Sequence, residues 1–270
     1  MKTNDDRKGL TWQVSVWDRI SQIYLREVDK RFAQVVEHVI KRAGLTTGQR
    51  VLDLGTGTGS VAIAAASLVG PGGRVFAVDV SHEMLVLAQR QTTALKLVNC
   101  SFHEGRGEAI PLGDGTCDVV LASLSLMYVL DRSACAREVA RVLRTGGRLV
   151  AAAWAGPELC DIVRFQQIAG RFAPAPPVSG VGPGALADPS EFVRQLKDSG
   201  LDSRVEAETL GFDFDDFASA WEVLAGVTTA QLAPKRQQEA KEAVLAAMWP
   251  SGDGARYFCN ITQFIIGQRK

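Results

Sequence analysis

Histidine is scarce in this 270-residue chain: His38, His82 and His103 are the only three, and none stands at a paired-ligand spacing such as H-E-x-x-H. A protein-held catalytic metal therefore lacks a ligand set. The five cysteines, Cys100, Cys117, Cys135, Cys160 and Cys259, are scattered, odd in number and never form C-x-x-C, which favours reduced, mostly buried thiols. An excess of one charge is also missing, because 30 Lys and Arg face 30 Asp and Glu. No overall positive field draws nucleic acid or an anionic membrane. No stretch reaches 18 apolar residues, and MKTNDDRKGL at the start has no apolar h-region. The expectation is a cytoplasmic protein without a nucleic-acid or membrane partner. Finally, tryptophan avoids the middle of the chain: all five, at 12, 17, 154, 221 and 249, lie outside residues 45–150.

What is present reads as an α/β protein, one large domain or a core with a smaller cap. Trp17, Ile20 and Tyr24, then Phe32, Val35, Val36, Val39 and Ile40, recur at helical spacing and predict two amphipathic helices over the first 44 residues. RVLDLGTGTG (50–59) is a buried strand entering a glycine-rich turn, and SVAIAAASLVG a small-residue helix closed by Gly70. RVFAVDV (74–80) is a second strand, SHEMLVLAQRQTTAL a helix capped by Ser81, and LVNCSF a short third strand. CDVVLASLSL (117–126), a helix over 131–144 capped by Asp131, and RLVAAAW (148–154) continue the alternation. Strands without polar alternation, separated by helices, imply a parallel sheet covered on both faces.

After Trp154 the texture changes. Residues 174–189 hold five of the ten prolines and three glycines, which predicts a long loop over an opening. SEFVRQLKDSG then reads as a helix, SRVEAETLGFDF as a strand, residues 214–248 as a helical segment and YFCNITQFIIGQ as a closing strand.

VLDLGTGTG sets Asp53 two positions before Gly55, Gly57 and Gly59, at the carboxyl end of the first strand, where open α/β sheets bind ligands. Glycines let a cofactor approach the backbone, and the carboxylate can accept hydrogen bonds from an ammonium group or order a water beside it. Asp79, followed by Val80, ends the second strand 24 residues after Gly55, where a carboxylate can accept both protons of a ribose diol.

On VLDLGTGTG, VFAVDVSHEML, GEAIPLGDGTCDVVLASLSL and REVARVLRTGGRLV, the chain resembles the class I S-adenosylmethionine-dependent methyltransferases, in particular the ubiquinone/menaquinone-biosynthesis-like branch. WDRISQIY (17–24) resembles the helix that covers the cofactor in that branch, while residues 151–270 carry a looser likeness. The resemblance implies a Rossmann-like fold with a mostly parallel seven-stranded sheet whose last strand is antiparallel, N-terminal helices and a helical lid. It implies cofactor-covering helices over 1–44, a cofactor-binding core over 45–154, a lid loop over 155–187, a helix and sixth strand over 188–213, a helical lid over 214–250 and a closing strand over 251–270.

The resemblance also implies roles. Gly55, Thr56 and Gly57, with Gly59 completing the loop, would lie along the methionine part of S-adenosylmethionine, with Asp53 near its ammonium group. Asp79 and Val80 would sit at the ribose, Met84 on the adenine, and Ser123 near the methionine portion or the reacting methyl. Tyr24 would close the site toward the cofactor carboxylate. The family usually carries an acid or amide where this chain has Arg106, and arginine cannot accept a hydrogen bond. Backbone groups of Arg106 and Gly107, or the carboxylate of Glu108 or Glu104, would supply that contact, or Arg106 would stack on the ring.

The implied activity is methyl transfer to a small, apolar or aromatic molecule, leaving S-adenosylhomocysteine, with rate from proximity and orientation. No side chain is singled out as a general base, since His82 reads as an exposed first-turn residue and His103 lies beyond the third strand. Trp154, Phe165, Phe172, Trp221, Trp249 and Tyr257 read as lid core or acceptor wall. Two rivals stand beside this reading: a nicotinamide oxidoreductase, whose G-x-G-x-x-G pattern Ser60 nearly completes, and a catalytically silent cofactor-binding regulator or scaffold subunit. The acceptor, the methylated atom type and the oligomeric state are not readable from the residues.

Overall fold

A computed structural model of the protein describes residues 4–270. The first 43 residues contain one nearly unbroken helical rod: α1 (Asn4–Ile23), a π-helical turn (Tyr24–Val28) and α2 (Asp29–Ala43). The sequence predicts two separate helices here, but residues 10–43 hold no glycine or proline to part them. The phase shift between the two apolar faces is taken up by a single wide turn instead. Val28, Val35, Val39 and Ala43 form the buried stripe, and Gly44, left-handed at φ 53°, ends the rod.

The core follows as β1 (Arg50–Leu54), α3 (Ser60–Val69), β2 (Arg74–Asp79), α4 (His82–Ala94), β3 (Cys100–Glu104), β4 (Cys117–Ser123), a 3-10 turn (Leu126–Tyr128), α5 (Arg132–Val142) and β5 (Leu143–Trp154). The remainder is α6 (Asp161–Gly170), α7 (Ser190–Asp198), β6 (Leu201–Phe214), α8 (Phe217–Leu224), α9 (Gly226–Thr229), α10 (Pro234–Met248) and β7 (Arg256–Arg269). The caps expected at Ser81 and Asp131 are made: their side chains accept the backbone N–H of Met84 and Ala134.

Seven strands form one sheet in the order β3-β2-β1-β4-β5-β7-β6. β1 pairs in parallel with β2 and β4, and β7 runs antiparallel to both neighbours, from Arg148 opposite Gln268 to Trp154 opposite Thr262. This is the seven-stranded Rossmann-like sheet the resemblance implies, with its last strand antiparallel. Val51, Leu52, Val119, Val120, Leu121, Leu149 and Val150 are sealed from water, as strands covered on both faces must be.

Two boundaries differ from the sequence reading. Residues 155–187, expected as a lid loop, contain α6, whose Ile162, Val163, Phe165, Ile168 and Ala169 are buried. That apolar stripe at helical spacing is the signal the proline-rich texture beyond it obscured. The fifth strand also begins at Leu143, five residues before the apolar run, because Cys117 pairs with Leu143 across an irregularity. Around α6, a second core of rings joins Phe165, Phe217, Trp221, Trp249 and Phe258.

Candidate active site

β1 and β4 are neighbours from which the chain departs in opposite directions, toward β2 and toward β5. A crevice opens at their carboxyl ends, the place where open α/β sheets hold ligands. It encloses about 810 Å³ of atom-free space, part of it continuous with solvent.

Ten of the thirteen residues expected at the cofactor line this one cleft: Tyr24, Gly55, Gly57, Asp79, Val80, Met84, Arg106, Gly107, Glu108 and Ser123. Gly55 and Gly57 both sit at positive φ, 74° and 54°, for different reasons. A Cβ on Gly55 would meet the Ser125 Cβ at 2.3 Å, whereas one on Gly57 would meet nothing within 4 Å. Gly55 is small so that the chain can fold; Gly57 keeps a space open beside the backbone.

Asp53, Thr56 and Gly59 stand behind the wall of the cleft. Asp53 is 1% exposed; its Oδ2 accepts the Thr56 hydroxyl at 2.6 Å, while its Oδ1 is buried without a partner among the described residues. Burial pushes this carboxyl up to about 7, and the Thr56 hydrogen bond opposes the shift. A buried oxygen short of a donor fits a ligand ammonium group or a water that carries its charge. Gly59 caps α3 at φ 97°, pressed against Ala88 of α4.

Asp79 faces the cleft with each oxygen already accepting one backbone N–H, Oδ2 from Gly57 at 2.8 Å and Oδ1 from Ser81 at 2.9 Å. Each keeps a lone pair for a hydroxyl. Burial raises the Asp79 carboxyl above its usual value, against those same backbone bonds.

At the other end, Arg106 lines the cleft while its carbonyl accepts the Ala109 N–H at 3.0 Å. Glu108 Oε1 accepts the N–H groups of Leu130 (2.9 Å) and Asp131 (3.1 Å) and so braces the turn before α5. Glu104 lies outside the cleft lining, its Oε1 2.7 Å from His82 Nδ1 in an exposed pair. His103, in β3 opposite Val78 of β2, stands 3.1 Å from the Ser101 hydroxyl and does not line the cleft.

The helical rod covers the cleft with Leu10, Gln13, Trp17 and Tyr24. Three polar contacts fasten it to three loops. Gln13 Nε2 donates to the Tyr128 carbonyl, Ser81 Oγ donates to Asp18 Oδ1, and Thr58 Oγ1 donates to Asp29 Oδ2, each at 2.6 Å. Burial raises the Asp29 carboxyl, and Thr58 opposes that rise.

A second, apolar chamber adjoins the cleft and shares Trp17, Tyr24, Leu124 and Tyr128 with it. Ile20, Val28, Phe32, Trp154, Ile162, Gln166, Val223, Leu224 and Val227 complete most of its wall. Among its described lining residues there is no carboxylate, histidine, lysine, arginine or cysteine. An outer cavity continues from it through Tyr128, Gln166, Pro183 and Val227, between the proline-rich loop, α6 and α9.

Of the aromatic residues expected as lid core or acceptor wall, only Trp154 faces this chamber. Phe165, Trp221 and Trp249 belong to the second core, Phe172 stacks beneath Arg236, and Tyr257 is exposed. Gln13, Leu124, Ser125 and Tyr128 were not expected at the site. They come from the middle of an amphipathic helix and from the turn after β4, where no local pattern distinguishes a wall residue from packing.

A family model described as a methyltransferase domain matches residues 45–167. The ubiquinone/menaquinone biosynthesis C-methyltransferase UbiE of Pasteurella multocida (strain Pm70) is 35% identical over 136 residues, 50% of this chain and 48% of that protein. The demethylmenaquinone methyltransferase of Geobacillus sp. (strain WCH70) is 32% identical over 132 residues, 49% of this chain and 55% of that one. The chain thus spans about half the length of the curated relatives it matches. In fold, it superposes on the YcgJ protein of Bacillus subtilis with a TM-score of 0.65 and 21% identity, covering 88% of this chain and 99% of that one. Residues 45–167 thus resemble a methyltransferase domain in sequence, and the chain shares with that neighbour a seven-stranded, Rossmann-like fold.

Proposed function

We propose that this protein is an S-adenosylmethionine-dependent methyltransferase whose acceptor is a small, apolar or aromatic molecule held in the chamber beside the cofactor cleft. The observation that carries the reading is the shared wall: a cleft lined by Asp79 and Glu108 and backed by buried Asp53 adjoins, across four side chains, an apolar chamber whose described lining carries no charge. One pocket suits a charged nucleoside and the other does not.

The residues present fit the cofactor. Asp79 would accept its ribose hydroxyls, Met84 would pack on its adenine, and Gly57 leaves room for its amino-acid part. Asp53, behind the wall, would answer the ammonium group through its orphaned oxygen. Bound S-adenosylmethionine supplies an electrophilic sulfonium methyl group. The chain orients the acceptor toward the cleft and excludes water with Phe32, Trp154, Val223 and Leu224. Alignment of this kind contributes on the order of 7–11 kcal/mol to a bimolecular step. Its walls offer no base, so an acceptor whose nucleophilic atom needs no strong proton abstraction suits it best.

We further propose residues 171–187 and 214–250 as the lid over this chamber. Arg132 Nη2 donates to the Gly180 carbonyl at 2.5 Å and Gln166 Nε2 to the Leu224 carbonyl at 2.6 Å, which hold both segments down.

Calorimetry with S-adenosylmethionine and NAD is the first test, and preference for NAD overturns the reading. A radiolabelled methyl-transfer screen follows. Quinones and phenols head the panel, because the curated relatives are named for C-methylation in ubiquinone and menaquinone biosynthesis; amines and sterol-like acceptors come next. Tight cofactor binding with no turnover on any acceptor would count against catalysis.

A further inference from the structure

The two cavities meet at Trp17, Tyr24, Leu124 and Tyr128 and, among the described residues, share no other. A group handed from a ligand in the cleft to one in the chamber must cross there. Three of the four are aromatic. Trp17 packs edge-on against Tyr128 (centroids 4.8 Å, planes at 88°) and Tyr24 (6.3 Å, 82°), and Tyr24 continues edge-on to Phe32 and Phe32 to Trp154. T-shaped packing leaves ring faces of neighbouring residues turned in different directions around one passage. Leu124, the fourth member, is held at φ 55°, a conformation that a branched residue adopts only where its surroundings impose it. Its backbone N–H is fixed to the Ala152 carbonyl at 2.9 Å. Strain at the end of β4 therefore coincides with the passage.

We propose that Trp17, Tyr24 and Tyr128 form an aromatic throat that recognises the positive charge of a sulfonium centre at the junction of the two cavities. The inference rests on the cofactor reading above. Ring faces attract cations through their quadrupole, tryptophan most strongly. The throat residues bring no formal charge, and burial keeps both tyrosine hydroxyls protonated by raising them well above their ordinary range. The site thus favours the charged donor over its neutral demethylated product without a carboxylate beside the acceptor, where it would attract water. Asp79 adds Coulombic attraction from the cleft side, and every variant below retains it.

The test compares calorimetric affinities for S-adenosylmethionine and S-adenosylhomocysteine, which differ by the methyl group and its charge. In Trp17→Leu and Tyr128→Leu the preference for the charged ligand, relative to the unsubstituted protein, falls by roughly 2- to 30-fold, with affinity for the neutral ligand nearly unchanged. Trp17→Phe falls by an intermediate amount, and Tyr24→Phe and Tyr128→Phe keep the preference because they keep the ring. These ring-retaining variants decide the matter if a leucine variant does not fold. Equal weakening of both ligands in the leucine variants, as a purely structural wall would give, overturns the inference and leaves the cofactor reading standing. Failure of the unsubstituted protein to bind either ligand overturns both.

Discussion

Asp53 shows how much one buried carboxyl can reveal. Its ordinary value is 3.8, and burial raises it to about 7 in the folded protein. Below the ordinary value both folded and unfolded chains hold the proton, so burial carries no pH-dependent cost. As pH rises from there toward 7, the unfolded chain releases the proton and the folded chain keeps it, so stability falls. Asp53→Asn keeps an oxygen for the Thr56 hydroxyl and removes the ionisation. The variant should lose less stability than the unsubstituted protein between about pH 4.5 and 7, by on the order of 3 kcal/mol, read from urea unfolding at several pH values. Binding of a cationic ligand should draw the proton off Asp53, so cofactor affinity rises with pH through about 7 and Asp53→Asn flattens the rise. Calorimetry in buffers of different ionisation enthalpy measures that released proton directly. The two loop glycines separate in the same way. Gly55→Ala drives a Cβ into Ser125 and should lower Tm markedly, with part of the loss recovered by adding Ser125→Gly. Gly57→Ala meets no atom, costs only the strain of its left-handed backbone, about 1 kcal/mol, and should lose cofactor binding out of proportion to its loss of stability.

At the scale of elements, the glycine loop, the carboxylate ending β2 and the caps of α4 and α5 were legible because each is written in consecutive residues. A strand's apolar run, a cap and a tight turn are local chemistry, and ten of thirteen expected residues meet in one cleft for that reason. The cover was legible only in outline. Helical spacing over residues 17–40 indicates two helices, but whether a continuous chain turns through a loop or a π-helical turn depends on what its two faces must pack against. Likewise the placement of Tyr128 follows from Gln13 on α1, 115 positions earlier in the chain, holding its carbonyl. No window of sequence contains that relation. The π turn carries Tyr24 and is followed at once by Asp29, so one short stretch both covers the cleft and fastens the rod. Thr58→Val takes the Thr58 hydroxyl from the half-buried Asp29 carboxylate, a loss of roughly 1–3 kcal/mol. The expected outcome is faster cofactor dissociation in stopped-flow measurements and weaker hydrogen-exchange protection over residues 24–35, with protection of β1 and β4 unchanged. Loss of protection across the whole sheet would instead mean that Thr58 supports the fold at large.

Across the whole molecule, the proposed reading divides the chain between two ligands with opposite chemistry. Residues 45–154 carry the glycine loop, Asp79 and the turn after β4 that define the cleft, whereas the helical rod together with α6, α8, α9 and the proline-rich loop brings most of the apolar and neutral polar groups of the chamber and outer cavity. The family match stops at residue 167, within α6, so likeness to known methyltransferases is strongest on the donor side and weakest where the acceptor would lie. Such a division allows the acceptor wall to change while the donor cleft stays constant, provided that the seam between them, at Trp17, Tyr24, Leu124 and Tyr128, is preserved. The consequence is a separation of kinetic effects. Leu224 lines the chamber and no part of the cleft, and Leu224→Trp would fill the chamber from the lid side. Added bulk in a packed wall costs about 1–3 kcal/mol, so the variant should fold with a lower Tm and retain its cofactor affinity within about twofold. Its kcat/KM for the acceptor should fall by roughly tenfold or more, since loss of alignment acts on the transition state rather than on donor binding. Loss of cofactor affinity in step with turnover would instead mean that the lid and the cleft form one site, with no partition between the halves.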